Sequence, residues 1–328
     1  MIDRRQLLAA GGAATAAAAF DIPLAFAADV GTLRVATLKF GSLGWVLEII
    51  KSHDLATKAG LKLDVIHVAN SQAASVSVLS GDSDMIISDW LWALRERAIG
   101  IPLRYAPYSS ALGAVMVPGS SPIKTLQDFK GRTIGVSGGP IDKSWLLLRA
   151  YARNVLNFDI AKEARPSFGA SPLLTAEVLN GRLDGVLNFW TYAARMEGEG
   201  ARPVIGMDAV LEALGIKPIP SLVGFIWREQ TEAAKAPAIA AFLSVVRQAQ
   251  GVLAKSDDAW DSIRHLVRPE TDAEFAAIKA YYRAGIPQPW GDAQTKAAQR
   301  LVEVLADVDG AELLGPDTPF DPKLFYAT

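Results

Sequence analysis

Apolar and polar positions along this chain switch between a period of two and a period near 3.6. Residues 33–38 are short and β-rich and predict a first strand. Gly41-Ser42 ends it, and 43–53 carries Val46, Leu47 and Ile50 at helical spacing. Residues 61–67 alternate as a second strand. Ser71 suits the N-cap of a helix through Leu79, which Gly81 stops. Met85-Ile86-Ile87 is a third, wholly apolar strand. Strand and helix in alternation indicate a parallel sheet with helical crossovers.

The pattern then restarts. Asp128-Phe129-Lys130-Gly131-Arg132 leads into a strand over 133–136. Gly138-Gly139-Pro140 opens a helix expected over 141–154, with Pro140 in its first turn. Strand 166–168, helix 173–179 and strand 185–187 follow. Two extended stretches, 112–117 and 221–227, are flanked by Gly or Pro and read as crossings between the halves. Helices expected over 238–254, 257–267, 272–284 and 293–308 are assigned to cover the first half. The tail from Gly315 has several prolines and no periodicity.

One phrase occurs twice, 100 residues apart. Val78-Leu79-Ser80-Gly81-Asp82-Ser83-Asp84 runs on to Asp89-Trp90-Leu91-Trp92-Ala93. Val178-Leu179-Asn180-Gly181-Arg182-Leu183-Asp184 runs on to Phe189-Trp190-Thr191-Tyr192-Ala193. Trp45 answers Trp145 and Ser71 answers Ser171 at the same offset. A repeat this long is a supersecondary module used twice, not a short solenoid unit. Two similar α/β lobes facing each other enclose a cleft.

Composition narrows the function. Half of the 328 residues are hydrophobic, enough chain for two domains with cores of their own. The formal charge of −2 leaves no basic excess for nucleic acid. Residues 1–27 differ from the rest: Arg4-Arg5, Leu7-Leu8, an Ala/Gly-rich run, then Ala25-Phe26-Ala27. They read as an export signal cleaved near Ala27, of twin-arginine type, and are set aside from the fold. No later stretch has 18 uncharged apolar residues, and no cysteine is present for a lipid anchor, disulfide, thiolate metal site or thiol nucleophile. A soluble periplasmic protein is expected. His53, His67 and His265 lack paired ligand spacing, so no metal or other cofactor is expected.

These residues together resemble a known family: the SsuA/THI5-like (NMT1-like) periplasmic binding proteins of nitrate, sulfonate and taurine ABC importers, with relatives that bind thiamine-precursor pyrimidines. The resemblance rests on the export signal, on 79–84 and 179–184, which follow the family's Leu-x-x-Gly-x-x-Asp phrase in outline, and on 128–136, and spans roughly 33–267. It implies a type II periplasmic binding fold: two lobes, each a mainly parallel sheet flanked by helices, joined by two hinge strands. The expected division is 28–114 plus 224–328 for lobe 1 and 115–223 for lobe 2. The implied function is non-enzymatic: a monomer captures a small solute between its lobes and delivers it to an inner-membrane permease.

In parallel α/β sheets, ligands sit beyond the carboxyl ends of the strands. That selects loops carrying Ser42, Trp45, Asn70, Asp89, Trp90, Ser109, Ser110, Gly138, Gly139, Asp142, Asn188, Trp190 and Tyr192. Trp45, Trp90 and Trp190 offer π faces, or are simply core. Trp90 and Trp190 are expected to look into the cleft from opposite sides. Asp89 either receives a cationic group or caps the helix starting at Trp90. Asp142 fits a carboxylate at the positive end of its helix. Ser109-Ser110 and Ser137-Gly138-Gly139 offer hydroxyls and free N–H groups, an oxyanion seat or ordinary turn chemistry. The two carboxylates argue against an anion, and a neutral or cationic, partly flat solute fits as well. Two other readings stay open: a pyrimidine-synthase-like enzyme, which would need a cysteine-rich iron segment, and a periplasmic partner or sensor on the same fold.

Overall fold

The computed structural model describes residues 29–39, 41–308, 311–315 and 318–326. The expected export signal and its cleavage site lie outside the described residues.

Ten strands form two five-stranded sheets among the described residues. The first contains β1 (Gly31–Leu38), β2 (Leu61–Val68), β3 (Met85–Asp89) and β4 (Leu103–Ser109). The second contains β5 (Ala114–Val117), β6 (Thr133–Ser137), β7 (Arg165–Gly169), β8 (Gly185–Asn188) and β9 (Arg202–Gly206). β10 (Val223–Arg228) returns to the first. The orders are β2-β1-β3-β10-β4 and β7-β6-β8-β5-β9. The first three strands of each sheet are parallel, and the fourth is antiparallel to both its neighbours. In each lobe that antiparallel strand has just arrived from the other lobe. The crossings themselves are short irregular segments, 110–113 and 214–222.

The alternation does not single out β4 or β9. Each contains a proline, Pro107 and Pro203, which interrupts a strand reading. Both are edge strands, where a missing N–H costs no ladder bond.

The repeated phrase builds the same corner twice. Each copy ends a helix (Ser71–Ser80, Ser171–Leu179), turns at a glycine with positive φ (Gly81, Gly181) and enters β3 or β8. Asp84 then accepts the backbone N–H of Arg34 at 2.8 Å, and Asp184 that of Thr133 at 2.7 Å. Each carboxylate pins the start of its third strand to the start of the neighbouring strand. Burial alone would raise the pKa of Asp84, but hydrogen bonds from Arg34 and Lys235 outweigh it and hold it below the usual carboxylate range.

Helix boundaries move slightly. Asn70, not Ser71, caps the Ser71–Ser80 helix, and Lys143–Asn154 starts two residues later than expected. Pro140 lies instead in a turn closed by the Asp142 N–H on the Gly139 carbonyl at 3.0 Å. The expected 257–267 helix is two short ones, Asp257–Ser262 and Arg264–Val267.

The C-terminal helices do not all cover the first lobe alone. Glu229–Lys255 does, burying Phe242, Val245 and Val246 in the first lobe's core. By length and composition it could cross a membrane, but half of it is buried in the fold. Asp272–Ala284 serves both lobes: Phe275, Ile278 and Tyr282 join the first lobe's core, and the helix also lies along Trp190–Gly198 of the second lobe, where buried Glu274 pairs with Arg195. Asp292–Ala306 packs on Lys143–Asn154. One apolar cluster therefore runs from Trp90 and Tyr105 through Leu301 and Leu305 to Trp145 and Leu148. Periodicity marks an apolar face, not the surface that receives it.

Candidate functional site

Both crossings leave and enter at strand ends. Val223, first in β10, pairs with Asp89 and Ser109, the last residues of β3 and β4. Ala114, first in β5, pairs with Asn188 and Gly206, the last residues of β8 and β9. The carboxyl ends of the two sheets therefore flank the same two connections. This is the layer where sequence placed the ligand.

Trp45 and Trp190 join that layer across the lobes. Trp45 stands on the Ser42–Ser52 helix after β1, and Trp190 opens the Trp190–Gly198 helix after β8. Their rings meet at 6.1 Å between centroids and 89° between planes. Tyr282, from the Asp272–Ala284 helix, lies 6.0 Å from Trp45 and 6.4 Å from Trp190. Trp45 is buried; Trp190 is half-buried.

Trp90 does not face Trp190. It is 0% exposed, its indole N–H donates to the Ser221 carbonyl at 3.1 Å, and its ring packs on Phe325. The repeat preserved the backbone corner, but β3 lies next to the crossing strand β10, and the Leu222–Ser221 segment covers the indole.

Three polar candidates are turned onto their own helices. Asn70 accepts from the Ala73 N–H at 2.9 Å, Asp89 from Trp92 at 3.1 Å, and Asp142 from Ser144 at 2.8 Å. Each is an N-cap. The expected oxyanion seat at Gly138-Gly139 is narrower than predicted. The Gly138 N–H is taken by the Gly169 carbonyl, and Asp142 already occupies the helix end.

The helix starts at Gly41, Ala170 and Phe189 carry no side-chain cap. Gly44 and Tyr192 donate to the Gly41 and Phe189 carbonyls at 3.1 and 3.0 Å, and Pro172 has no N–H, so only the first two N–H groups at Gly41 and Phe189 are left without a helical partner at the positive end of the dipole. The Ser42 hydroxyl, at the first of them, accepts from the Tyr108 hydroxyl at 3.1 Å.

Asn188 supports this layer rather than facing into it. Its Oδ1 accepts from Ser137 Oγ at 2.7 Å and from the Phe189 N–H at 3.1 Å, and its Nδ2 donates to Thr175 Oγ1 at 2.8 Å. Ser171 joins through Ser137 at 3.0 Å. With its carbonyl doubly used and its amide engaged, Asn188 fixes the turn that presents Trp190. Ser109 accepts from the Ala111 N–H, and Ser110 bonds Ser221 at 2.7 Å, so both belong to the crossings. Tyr192, half-exposed, sits in the first turn after Phe189.

Sequence reasoning missed an apolar surface. Ile141, Phe168, Leu173 and Phe189 are all exposed, Phe189 to 41%, and all lie at or just beyond the carboxyl ends of β6, β7 and β8. Four large apolar side chains in one such layer mark a contact surface. Their exposure was the only signal, and it is not written in the sequence. Among the described residues no group of His, Asp or Glu is arranged to hold a metal.

The sequence model of the family described as NMT1/THI5 like matches residues 54–259, more than half of the chain. The chain belongs to the NMT1/THI5-like family. Solved structures place it on the same two-lobed fold of type II periplasmic binding proteins. The alkanesulfonate-binding protein SsuA of Xanthomonas axonopodis pv. citri, bound to MOPS, is 17% identical with a TM-score of 0.68, covering 92% of this chain and 99% of its own. The periplasmic aliphatic sulphonate binding protein SsuA of Escherichia coli is 16% identical with a TM-score of 0.72, covering 90% and 92%. A putative periplasmic sulfonate-binding SsuA of Methylobacillus flagellatus KT is 14% identical with a TM-score of 0.66, covering 92% of each chain. No protein of curated function matches the chain in sequence.

Proposed function

We propose that this protein is a periplasmic solute receptor that takes one small organic oxyanion between its lobes and delivers it to an ABC importer. The observation that carries the reading is the Trp45–Trp190 contact, which joins the strand-end layers of the two lobes. The mature chain would start near Ala28, leave the cytoplasm by the twin-arginine route, and act as a soluble monomer. Closure about 110–113 and 214–222 would bury the solute and present a closed shape to the permease.

The geometry favours an anion more than the sequence did. Asp89 and Asp142, the two carboxylates that argued for a cation, cap their own helices. The uncapped starts at Gly41, Ala170 and Phe189 are donors suited to oxyanion oxygens. Lys39 and Lys143 add positive charge after β1 and β6. Ile141, Phe168, Leu173 and Phe189 suit an apolar body. A sulfonate with an organic substituent fits this combination better than nitrate, and the alkanesulfonate-binding and MOPS-bound relatives agree in kind. The reading is non-enzymatic, and the chain has no cysteine for a thiolate nucleophile or iron ligand.

The test is a panel of solutes: alkanesulfonates, MOPS, taurine, nitrate, pyrimidines and small amines, followed by tryptophan fluorescence. At least one organic sulfonate is expected to bind one-to-one with a Kd of about 10 μM or tighter. A silent panel would instead favour a partner or sensor role.

A further inference from the structure

A cavity of about 780 Å³ lies on the other side of the crossings from Trp45 and Trp190. Trp45 and Trp190 follow β1 and β8, on one side of the crossing strands β10 and β5. The cavity is lined by Ser110 and Gly206, which end or follow β4 and β9 on the opposite side. Both crossings form its walls. Leu112, Pro218, Ile219, Ile286 and Trp290 give it an apolar floor.

The charge in this cavity is unbalanced. Asp208, Glu212 and Lys217 are its ionic lining residues. Lys217 pairs with Glu212 at 3.1 Å. Asp208 is exposed in the first turn of the Met207–Ala213 helix and has no ion-pair partner among the described residues. The uncompensated charge is therefore negative, beside an aromatic and aliphatic floor.

The cavity is also mechanically tied to the crossings. Ser110 Oγ and Ser221 Oγ, one from each crossing, lie 2.7 Å apart. The Ser110 N–H donates to the Gly285 carbonyl at 2.8 Å. Gly285 lies so close to the first crossing that an added Cβ would fall 2.3 Å from the Ala111 Cβ. A rotation that brings Trp45 and Trp190 together spreads the opposite side of the same crossings. A molecule seated there in the arrangement described holds the lobes in it.

We propose that this cavity is a second ligand site, for an organic ammonium with a flat apolar body, and that its occupation favours the arrangement of the lobes in which Trp45 meets Trp190. The ammonium meets Asp208, and the apolar body lies against Ile219 and Trp290. The coupling to closure rests on the receptor reading above; the site itself does not. By linkage, the two ligands must raise each other's affinity by the same factor.

Calorimetric titration of the purified chain with tryptamine and phenethylamine, with indole-3-propionate as charge-reversed control, tests the site. One-to-one binding of an ammonium is expected, at least about tenfold weaker in Asp208→Asn and at least about tenfold weaker for the carboxylate. In a ¹⁵N-indole spectrum the Trp290 resonance is expected to shift. Absence of ammonium binding below about 1 mM, equal binding of the carboxylate, or no effect of Asp208→Asn overturns the proposal. So does a shift of Trp45 and Trp190 with Trp290 unmoved, which would put the amine in the cleft. If the ammonium binds at Trp290 while no cleft solute is found, the receptor reading fails and the site stands.

Discussion

Trp45 and Trp190 meet edge to face across the two lobes, while their counterparts in the repeat, Trp145 and Trp90, are buried in the core. Trp45 is itself buried, against Trp260 as well as Trp190, so its indole serves the first lobe's core and the lobe interface together. An edge-to-face pair contributes about 0.5–1.5 kcal/mol beyond its burial. Trp190→Ala is expected to weaken solute binding by about tenfold or more, from lost closure contact and lost apolar area. Calorimetric titration of variant against parent checks this.

Trp90→Phe should behave in the opposite way. It removes the indole N–H bond to the Ser221 carbonyl, which the Tyr105 hydroxyl still reaches at 2.8 Å. A loss of about 1–3 kcal/mol in stability is expected, with solute affinity unchanged. Urea unfolding alongside a binding titration separates the two effects.

Asp84 and Asp184 predict a specific acid lability. Both carboxyls sit below their ordinary values: burial opposes this, but Arg34 and Lys235 at Asp84, and Thr133 and Arg132 at Asp184, overcome it. A depressed carboxyl contributes stability that is complete above its unfolded pKa and is lost as pH falls through the folded one. Stability should therefore decline below about pH 4. Asp84→Asn should cost about 2–4 kcal/mol at pH 7, where Arg34 and Lys235 lose their anion, and should flatten that acid limb. Unfolding midpoints between pH 3 and 7 report both.

Gly113 ends the first crossing against the second lobe. A Cβ there would lie 1.8 Å from the Asn188 carbonyl oxygen, a backbone atom that cannot swing aside. Gly113→Ala is expected to displace the crossing, lower the melting temperature and shift the open–closed balance. Small-angle scattering with and without solute would show an altered change in radius of gyration.

Much of the fold was legible because the repeat and the strand–helix alternation carry it. Asp84 and Asp184 recur because each closes the same corner. Other features depend on partners that periodicity does not name. Pro107 and Pro203 hide edge strands. The Asp272–Ala284 helix shows its apolar stripe but not that Glu274 seeks Arg195 in the other lobe. At the site, Asp89 was legible as a cap in one of its two readings, whereas Asp142 reads only as a carboxylate at the positive helix end, because the sequence starts its helix two residues earlier than the structure does. The place of Trp90 was not legible, because the chain covering it comes from Ser221, 131 residues away. Phe189 and Leu173 were missed because an apolar residue left in solvent looks, in sequence, like one in the core.

The eight tryptophans give the most direct test, through their indole N–H resonances in a ¹⁵N spectrum recorded during titration with the best-binding sulfonate. The account predicts that Trp45 and Trp190 shift together and most strongly, while Trp90 and Trp145 stay near their starting positions. Movement of Trp90 or Trp145 with Trp45 and Trp190 unchanged would place the solute elsewhere and contradict it.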